Sequence, residues 1–413
     1  MDKVKSLKCM LCGAEYDPKD ILYVCPKHGD EGIVDVIYDY EVIGRRLTKE
    51  KLAQDHTYTI WRYFDLLPVS DRRFIPPLQV GWTPLYRAER LGRQLGLPNL
   101  WVKDDGRNPT ASLKDRASAV GVAKALELGR DVMTAASTGN AAASLAGLTA
   151  SVGIKTYIFV PKTAPEAKIA QLMIFGANVI TVNGNYDQAF DLCLQASAEY
   201  GWYSRNTAYN PYLSEGKKTV ALEICEQLGW NAPDRIFVSV GDGCIIGGVW
   251  KGLRDLLALG FIDKMPKLMG VQAEGSSVLY KAWQSGTEQI TPVVPTTLAD
   301  SISVGIPRDR IKALRAVRQT GGEFISVTDD EILEAMRVAA RGAAVFGEPS
   351  GVASLAGLQK MIRQGRIDPS ERIVVMITGN GLKDIGSAIK ATGRPALIEP
   401  TMVALKQFMS QQR

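Results

Sequence analysis

The chain has 413 residues, of which 46% are hydrophobic and 23% charged, and its formal net charge at pH 7 is +5. This composition is typical of a soluble globular protein with two or more domains, and the small charge excess does not indicate nucleic-acid binding. No apolar run is long enough to span a membrane and no signal-like segment follows the first residues, so a cytoplasmic protein is expected.

Two matched pairs of potential metal ligands lie near the N-terminus. Cys9 and Cys12 are three positions apart and are followed by glycine, and Cys25 and His28 repeat this spacing. Three cysteinates and one imidazole form a set that closes a tetrahedral, structural zinc site. We therefore predict a zinc-ribbon-like knuckle over residues 1–35, with a chance cluster of reduced cysteines as the alternative.

The stretch from Asn108 to Arg116 combines a turn with a helix start. Its Asn-Pro pair favours the turn, and the hydroxyls of Thr110 and Ser112 can accept hydrogen bonds from N–H groups at the beginning of the helix. Lys114 follows about one turn into that helix. A lysine held near a packed surface can lose its proton, and a neutral amine can form a Schiff base. The alternative is a solvated lysine in a first helical turn.

Strands and helices alternate regularly after this lysine. The first set has predicted strands at 131–136, 155–160, 178–182 and 202–205, and predicted helices at 141–151, 166–175 and 186–200. The second set has predicted strands at 235–240, 267–273 and 372–378, and predicted helices at 214–228, 245–259, 276–285, 309–319, 329–346, 350–364 and from 382 onward. Helices placed between strands in this way indicate parallel sheets covered on both faces.

The expected fold class is therefore α/β with two doubly wound open-sheet domains behind the knuckle. We predict a large domain from residues 36–105 and 210–413 and a small domain from residues 106–209. The irregular stretch at 286–308 is a candidate lid or interface segment.

Three polar or glycine-rich turns follow predicted strands, at the edge where open α/β sheets bind ligands. Ser137-Thr138-Gly139-Asn140 offers hydroxyls, an amide and backbone N–H groups that suit a carboxylate or a ring hydroxyl, with a simple helix cap as the alternative. Thr378 ends the last strand with one neutral hydroxyl, and the alternative is a satisfied core threonine.

The third turn is Gly241-Asp242-Gly243-Cys244-Ile245, which opens a helix. Unencumbered N–H groups at a helix start can cradle a phosphate. The turn also comes close to a dinucleotide fingerprint, and Glu274 ends the next strand where a ribose-binding acid is expected. A nicotinamide-dependent dehydrogenase therefore stays open as an alternative.

Together these motifs resemble the pyridoxal-phosphate enzymes of the tryptophan-synthase β fold (fold type II), and the threonine synthases most closely. The resemblance runs in order over nearly the whole chain. Its motifs are the cysteine knuckle, 81–85, 108–116, 137–140, 210–216, the turn at 241, 348–351 and 378–384.

The resemblance implies a role for each motif. Lys114 would carry pyridoxal 5′-phosphate and move protons, Asn140 would bond the ring oxygen, and Thr378 would face the ring nitrogen. The cofactor phosphate would bind at Gly241, Asp242, Gly243, Cys244 and Ile245. The substrate carboxylate would bind at Ser137, Thr138 and Gly139. A homodimer acting on a small amino acid is expected.

The implied reaction converts O-phospho-L-homoserine and water to L-threonine and phosphate, but the chain departs from the family pattern. Leu213 stands where threonine synthases usually carry an arginine for the substrate phosphate, and Lys217, Lys218 or Arg205 are candidate substitutes. Asp242 adds a negative charge to the phosphate turn, which costs free energy unless Lys251 or a helix dipole offsets it.

Several other functions stay open at this point. A related enzyme could keep the cofactor and change the substrate, as in cysteate synthase or an ammonia-lyase of serine, threonine or diaminopropionate. A zinc-knuckle binding protein with an inactive enzyme body is a further alternative, against which the intact Lys114, Asn140 and Thr378 argue.

Overall fold

The structure, a computed structural model, describes residues 3–411, the side chain of Ala167 excepted. It confirms the predicted α/β class. Three sheets are present in the described residues: a three-stranded antiparallel ribbon at the N-terminus, a four-stranded parallel sheet and a six-stranded mixed sheet.

The N-terminal ribbon has strand order β2-β1-β3 and carries the cysteine pairs at its turns. Its strands are β1 (Val4–Cys9), β2 (Glu15–Tyr16) and β3 (Val34–Tyr38). The stretch from 40 to 66 forms α1 (Tyr40–Arg46), α2 (Lys49–Gln54) and a 3-10 helix (Ile60–Leu66) rather than one continuous helix. The breaks occur because the side chains of Thr48 and Thr59 each cap a new helix start.

The four-stranded sheet is parallel throughout, with strand order β8-β7-β6-β9. Its strands are β6 (Val132–Ala136), β7 (Lys155–Pro161), β8 (Asn178–Val182) and β9 (Tyr203–Ser204). The helices of this part of the chain are α4 (Lys114–Glu127), α5 (Asn140–Ala150), α6 (Glu166–Ile174) and α7 (Tyr186–Tyr200). The predicted alternation is confirmed here to within two residues at each boundary.

The six-stranded sheet has order β12-β11-β10-β13-β5-β4, and only β4 runs antiparallel to its neighbour. Its strands are β4 (Leu85–Arg87), β5 (Leu100–Asp104), β10 (Arg235–Ser239), β11 (Lys267–Ala273), β12 (Glu323–Val327) and β13 (Ile373–Ile377). The accompanying helices are α3 (Glu89–Leu95), α8 (Tyr212–Gln227), α9 (Cys244–Ala258), α10 (Val278–Gln284), α11 (Arg310–Gln319), α12 (Asp329–Ala343), α13 (Pro349–Arg363), α14 (Ile385–Thr392) and α15 (Met402–Gln411).

Two parts of the sequence-based assignment differ from the structure. The edge strand β12 was not predicted, since it is a five-residue element between two strongly helical patterns. The single helix predicted from Leu382 onward is wrong. It is interrupted because α14 ends at Gly393, whose φ of 79° a helix cannot continue, and α15 begins only after Pro400.

Helices α4, α8 and α9 pack very closely against one another. A Cβ added at Gly216 on α8 would lie 2.0 Å from the carbonyl oxygen of Arg116 on α4. A Cβ at Gly252 on α9 would lie 2.5 Å from the carbonyl oxygen of Lys218 on α8. These contacts bring the N-terminal turns of the three helices together. None of the helices between residues 3 and 411 is long and apolar enough to cross a membrane.

Candidate active site

A cavity lies where the carboxyl ends of the large-sheet strands meet the N-terminal turns of α4, α5 and α9. Open α/β sheets bind ligands at this edge. The predicted residues that line it are Lys114, Asn140, Gly241, Asp242, Gly243, Cys244, Ile245 and Thr378. The fold therefore brings four separate sequence motifs to one place.

The lysine loop is held to the end of strand β13 by main-chain hydrogen bonds. The N–H of Leu113 donates to the carbonyl of Thr378 at 2.9 Å, and the N–H of Asn380 donates to the carbonyl of Ala111 at 3.0 Å. Ala111 has a φ of 63°, a left-handed conformation that turns the chain into α4. Lys114 and Thr378 are thus fixed relative to each other by backbone rather than by side-chain packing.

Lys114 is the first residue of α4, and its side chain is partly exposed to the cavity. Burial lowers the pKa of Lys114 to about 8, and the positive charges of Lys217 and Arg205 act in the same direction. Both effects disfavour the ammonium form. The neutral amine required of a nucleophile or a general base is therefore more populated near neutral pH than it is in an ordinary lysine.

The glycine turn between β10 and α9 forms the floor of the cavity. Gly243 has a φ of 94°, and a Cβ there would lie 2.7 Å from the Cβ of Ala313. A Cβ at Gly241 would lie 2.9 Å from the Cα of Ile302. The N–H groups of Cys244 and Ile245 belong to the first turn of α9 and have no carbonyl of their own helix to bond. Such a helix start binds anions.

Asn140 begins α5 and faces the cavity from the small-sheet side. Its Nδ2 donates to the Glu348 carboxylate at 2.6 Å and lies 3.4 Å from the hydroxyl of Ser301. Burial raises the pKa of Glu348 to about 7, although the Asn140 hydrogen bond and the charge of Lys383 lower it. Glu348 and Ser301 line the same cavity.

A second cavity shares Asn140, Ser301 and Glu348 with the first and extends it outward. Thr138 and Gly139, which were predicted to take a substrate carboxylate, line this outer part. Ser137 is absent from the linings of both cavities, and its Oγ accepts a hydrogen bond from the N–H of Gly139 at 3.2 Å.

Two lysines also line the outer cavity. Lys168 on α6 forms an ion pair with Asp300, which lies in the stretch predicted as a lid or interface. Lys383 follows strand β13 and lies 3.5 Å from the Oε1 of Gln171. The outer cavity is thus bordered by charges of both signs, since Asp300, Glu348 and Asp384 line it together with the two lysines.

The structure shows which groups lie near the negative charge of Asp242 in the glycine turn. Lys251 does not offset its charge, since the Lys251 ammonium lies 3.3 Å from Asp35 and 3.7 Å from Glu215. The Asp242 carboxylate instead accepts a hydrogen bond from the N–H of Arg308 at 3.3 Å. Glu274, the ribose-binding candidate, is exposed and lines neither cavity.

The four predicted metal ligands come together in the N-terminal ribbon. One ligand atom each from Cys9, Cys12, Cys25 and His28 lies within 4.8 Å of the others. The Nδ1 of His28 is 3.9 Å from the Cys9 sulfur and 3.5 Å from the Cys25 sulfur. These separations are close to those of the edges of a tetrahedral zinc site.

The site also contains groups to which the sequence assigned no role. Glu348 belongs to the motif at 348–351. Its position directly before Pro349, at the start of α13, was the only sequence feature that could have pointed to a role in the site. Ser301 and Thr207 lie in irregular segments without any pattern, yet both line the first cavity. Periodicity is uninformative in such segments, because their position depends on tertiary contacts alone.

Comparison with known protein families gives one match, to the pyridoxal-phosphate dependent enzymes over residues 77–379. The curated threonine synthase of Methanocaldococcus jannaschii is 42% identical over 406 residues, which cover 98% of this chain and 99% of that protein. The threonine synthase of Methanosarcina acetivorans is 41% identical over 403 residues, covering 97% and 98% respectively.

Solved structures show the same fold at lower identity. Diaminopropionate ammonia lyase from Escherichia coli superposes with a TM-score of 0.65 at 18% identity, covering 84% of this chain and 91% of that one. Threonine deaminase isoform 2 from Solanum lycopersicum gives a TM-score of 0.63 at 22% identity, covering 76% and 88%.

Proposed function

The chain belongs to the pyridoxal-phosphate dependent enzymes and, among them, to the threonine synthases, and from this premise we propose that it is a lyase that converts O-phospho-L-homoserine and water to L-threonine and inorganic phosphate. Support comes from two directions: the threonine synthase relatives match almost the whole chain, and Lys114, the glycine turn and Thr378 meet at one cavity.

The cavity residues fit the cofactor that this family is named for. Gly241 and Gly243 let the turn pack closely against Ile302 and Ala313, where a Cβ would overlap, and the first turn of α9 lines the cavity. A phosphate ester fits this turn, because helix N–H groups and the helix dipole both favour an anion. Lys114 would carry the cofactor, Asn140 would bond its ring oxygen, and Thr378 would face its ring nitrogen with a neutral hydroxyl.

Pyridoxal phosphate, when bound, supplies an electron sink that acidifies the Cα–H of an amino acid. The protein contributes the proton transfers, for which Lys114 is the candidate. Its Nζ faces the cavity with a pKa of about 8, so it can remove a proton from Cα and return one later in the reaction. Thr138 and Gly139, in the outer cavity, would hold the substrate carboxylate.

The overall chemistry balances without an oxidant or a reductant. The Cγ–O bond of the substrate breaks, and the phosphate departs with its bonding electrons. Water then adds its oxygen at Cβ, and a proton is delivered to Cγ, which becomes the methyl group of threonine. The outer cavity, bordered by Lys168 and Lys383, is the route by which the polar substrate would enter.

A side-by-side product analysis tests this proposal. The cofactor-loaded protein is incubated separately with O-phospho-L-homoserine, O-phospho-L-serine plus sulfite, L-serine and L-2,3-diaminopropionate. We expect threonine and phosphate in equal amounts from the first substrate, with the other three turned over at least about 100-fold less efficiently. Preferential turnover of any other substrate would reject the threonine synthase assignment while leaving the cofactor assignment intact.

A structural zinc ion in the ribbon is the second part of the proposal. The supporting observation is the convergence of Cys9, Cys12, Cys25 and His28. We expect about one zinc per chain by elemental analysis, and loss of that zinc in Cys12→Ser. Cys193→Ser is the matched control, because Cys193 lies buried in the body of the protein. Zinc-free protein from a zinc-supplemented preparation would contradict the assignment.

The remaining proposals concern organisation. We propose the large domain from 36–105 and 210–413 and the small domain from 106–209, since each contains one of the two open sheets.

We also propose a homodimer. Apolar side chains of the C-terminal helix α15, including Met402 and Val403, are mostly exposed, as an interface would require. Light scattering that gives a monomeric mass at micromolar concentration would exclude the dimer.

A further inference from the structure

Two buried cations beside the first cavity have no acidic partner among residues 3–411. Arg205 and Lys217 are each 1% exposed, and neither forms an ion pair with another described residue. The Nη2 of Arg205 has no hydrogen-bond partner in the part of the chain that the structure describes. The carboxylates whose charge acts on Lys217 are Asp309 and Asp242, and both oxygens of Asp309 are themselves without a hydrogen bond.

Both cations lie directly behind the wall of the cavity that contains Lys114: Arg205 is hydrogen-bonded to a lining residue, and Lys217 packs against α9, whose first turn lines the cavity. Arg205 follows strand β9 and donates from Nη1 to the hydroxyl of Thr207 at 3.2 Å, and Thr207 lines the cavity. Lys217 lies on α8, and a Cβ added at Gly248 on α9 would lie 2.9 Å from its Cβ. The charges of both cations also act on Lys114 and lower its pKa.

This arrangement is unfavourable in the ligand-free protein. A buried charge without a partner destabilises the folded state, and the mutual repulsion of like charges adds to that destabilisation. Burial lowers the pKa of Lys217 as well as that of Arg205, which falls to about 10. Groups held at such a cost are typical of a site that is completed by a ligand of opposite charge.

We infer that Arg205 and Lys217 bind the phosphate group of the substrate, while the glycine turn at Gly241 binds that of the cofactor. The inference rests on the proposed function, because it takes the substrate to be a phosphate ester. It also decides which of the three candidates, Lys217, Lys218 and Arg205, replace the arginine that threonine synthases usually carry at position 213. Lys218 is excluded, because its ammonium already pairs with Glu215 at 2.7 Å and Asp255 at 2.6 Å.

The inference accounts for Leu213. Leu213 and Lys217 are four residues apart on α8, so they lie on the same helix face, one turn from each other. Leu213 is fully buried, and its Cδ2 would lie 2.9 Å from a Cβ on Gly121 of α4. Lys217 would thus supply, one turn further along α8, the positive charge that the family pattern predicts at position 213. Leu213 itself packs against α4.

The test compares Lys217→Gln, Arg205→Gln and the double variant with wild type and with Lys264→Gln, a control in which an exposed lysine loses its charge. Four quantities are measured: KM for O-phospho-L-homoserine, the inhibition constant of inorganic phosphate, the affinity for L-threonine, and the affinity of cofactor-free protein for pyridoxal phosphate. Threonine carries no phosphate and therefore reports on the rest of the substrate site.

We expect each single variant to raise KM and weaken phosphate inhibition by about 10- to 100-fold, because each removes one charged hydrogen bond to a phosphate. The affinities for threonine and for the cofactor should stay within about threefold of wild type. If cofactor affinity falls instead, the two cations serve the cofactor phosphate and the inference is wrong. Unchanged KM and unchanged phosphate inhibition would also refute it.

Failure of the proposed function gives a different result. If wild type does not turn over O-phospho-L-homoserine, the proposed function is rejected, and binding of inorganic phosphate to the cofactor-loaded protein is measured by calorimetry. Phosphate binding that is lost in the double variant would retain the anion site without the proposed reaction. Absence of phosphate binding in wild type would overturn the inference as well.

Discussion

Lys217 and Lys218 are adjacent on one helix and almost equally inaccessible, yet their surroundings are opposite. Lys218 is 0% exposed and its ammonium lies between two carboxylates, those of Glu215 and Asp255. Lys217 is 1% exposed and forms no ion pair with another described residue. The two lysines are therefore equally buried and differ only in their carboxylate partners. The paired ammonium of Lys218 stabilises the fold, whereas the unpaired ammonium of Lys217 is available to a ligand.

The same contrast extends over the wider site. Arg116 on α4 is fully buried and bonds to Asp105, Glu223 and Thr219 through every nitrogen of its guanidinium group. Arg205 is buried to the same degree but has only hydroxyl partners. We expect the paired set to determine stability and the unpaired set, which includes Lys114, to determine activity. The predictions below test this division.

The largest effect is expected at Lys114. Lys114→Ala should reduce turnover of O-phospho-L-homoserine by at least about 10³-fold, because it removes the proposed proton-transfer group. Peptide mass spectrometry after borohydride reduction should no longer find the cofactor attached at this position. Circular dichroism and urea unfolding should match wild type, since Lys114 is outside the paired network. Activity within tenfold of wild type would contradict the assigned role.

Arg116→Met should lower the free energy of unfolding by about 3–5 kcal/mol, because it leaves the buried carboxylates of Asp105 and Glu223 without their cation. Urea denaturation monitored by tryptophan fluorescence measures this loss. Arg205→Met is the matched control, as it removes an equally buried guanidinium that has no carboxylate partner. Equal losses in the two variants would refute the division between paired and unpaired charges.

Lys217→Met should leave the stability of the cofactor-free protein unchanged or raise it by about 1 kcal/mol, because it removes an unpaired buried charge. The pKa of Lys114 should rise from about 8, since Lys217 is the largest charge acting on it. The pH dependence of the reductive methylation rate at Lys114 measures that pKa. A stability loss above about 2 kcal/mol would show that Lys217 is structural.

The smallest effect concerns the pH dependence of stability through Glu348. Burial raises the pKa of Glu348 to about 7 in the folded state, above its ordinary value of 4.5, so the folded state binds more protons than the unfolded state between these values. Stability contributed by this group is therefore present at low pH and is lost as the pH rises toward 7, by at most about 1.4 kcal/mol per pH unit. In the cofactor-free protein, the free energy of unfolding of Glu348→Gln, measured by urea denaturation, should equal that of wild type at pH 4.5 and exceed it at pH 8.

Much of the fold was accessible from the sequence, because the parallel strands are nearly continuous apolar runs separated by amphipathic helices. Strands β8 and β11 were predicted to the residue. Elements without such a pattern were missed. Strand β12 is short and lies at the sheet edge, and the C-terminal helices are separated by glycine and proline.

For the site, the sequence indicated the residues that follow strands but not the charge balance around them. Lys114, Asn140 and Thr378 could be chosen because each stands at the end of a strand or the start of a helix. The choice among Lys217, Lys218 and Arg205 could not be made, since it depends on acids that are distant along the chain. Asp255, which pairs with Lys218, is one of them.

The N-terminal ribbon has a consequence for the order in which the chain can fold during synthesis. Ile33 packs with Cys244 at the glycine turn, and the guanidinium of Arg315 donates to the carbonyl of Met10, 305 positions earlier. The ribbon is thus synthesised before Cys244 and Arg315, and its contacts with them can form only once those residues have left the ribosome. Contacts of such sequence separation form late, so the turn at Gly241 should become rigid only after the ribbon has packed against it.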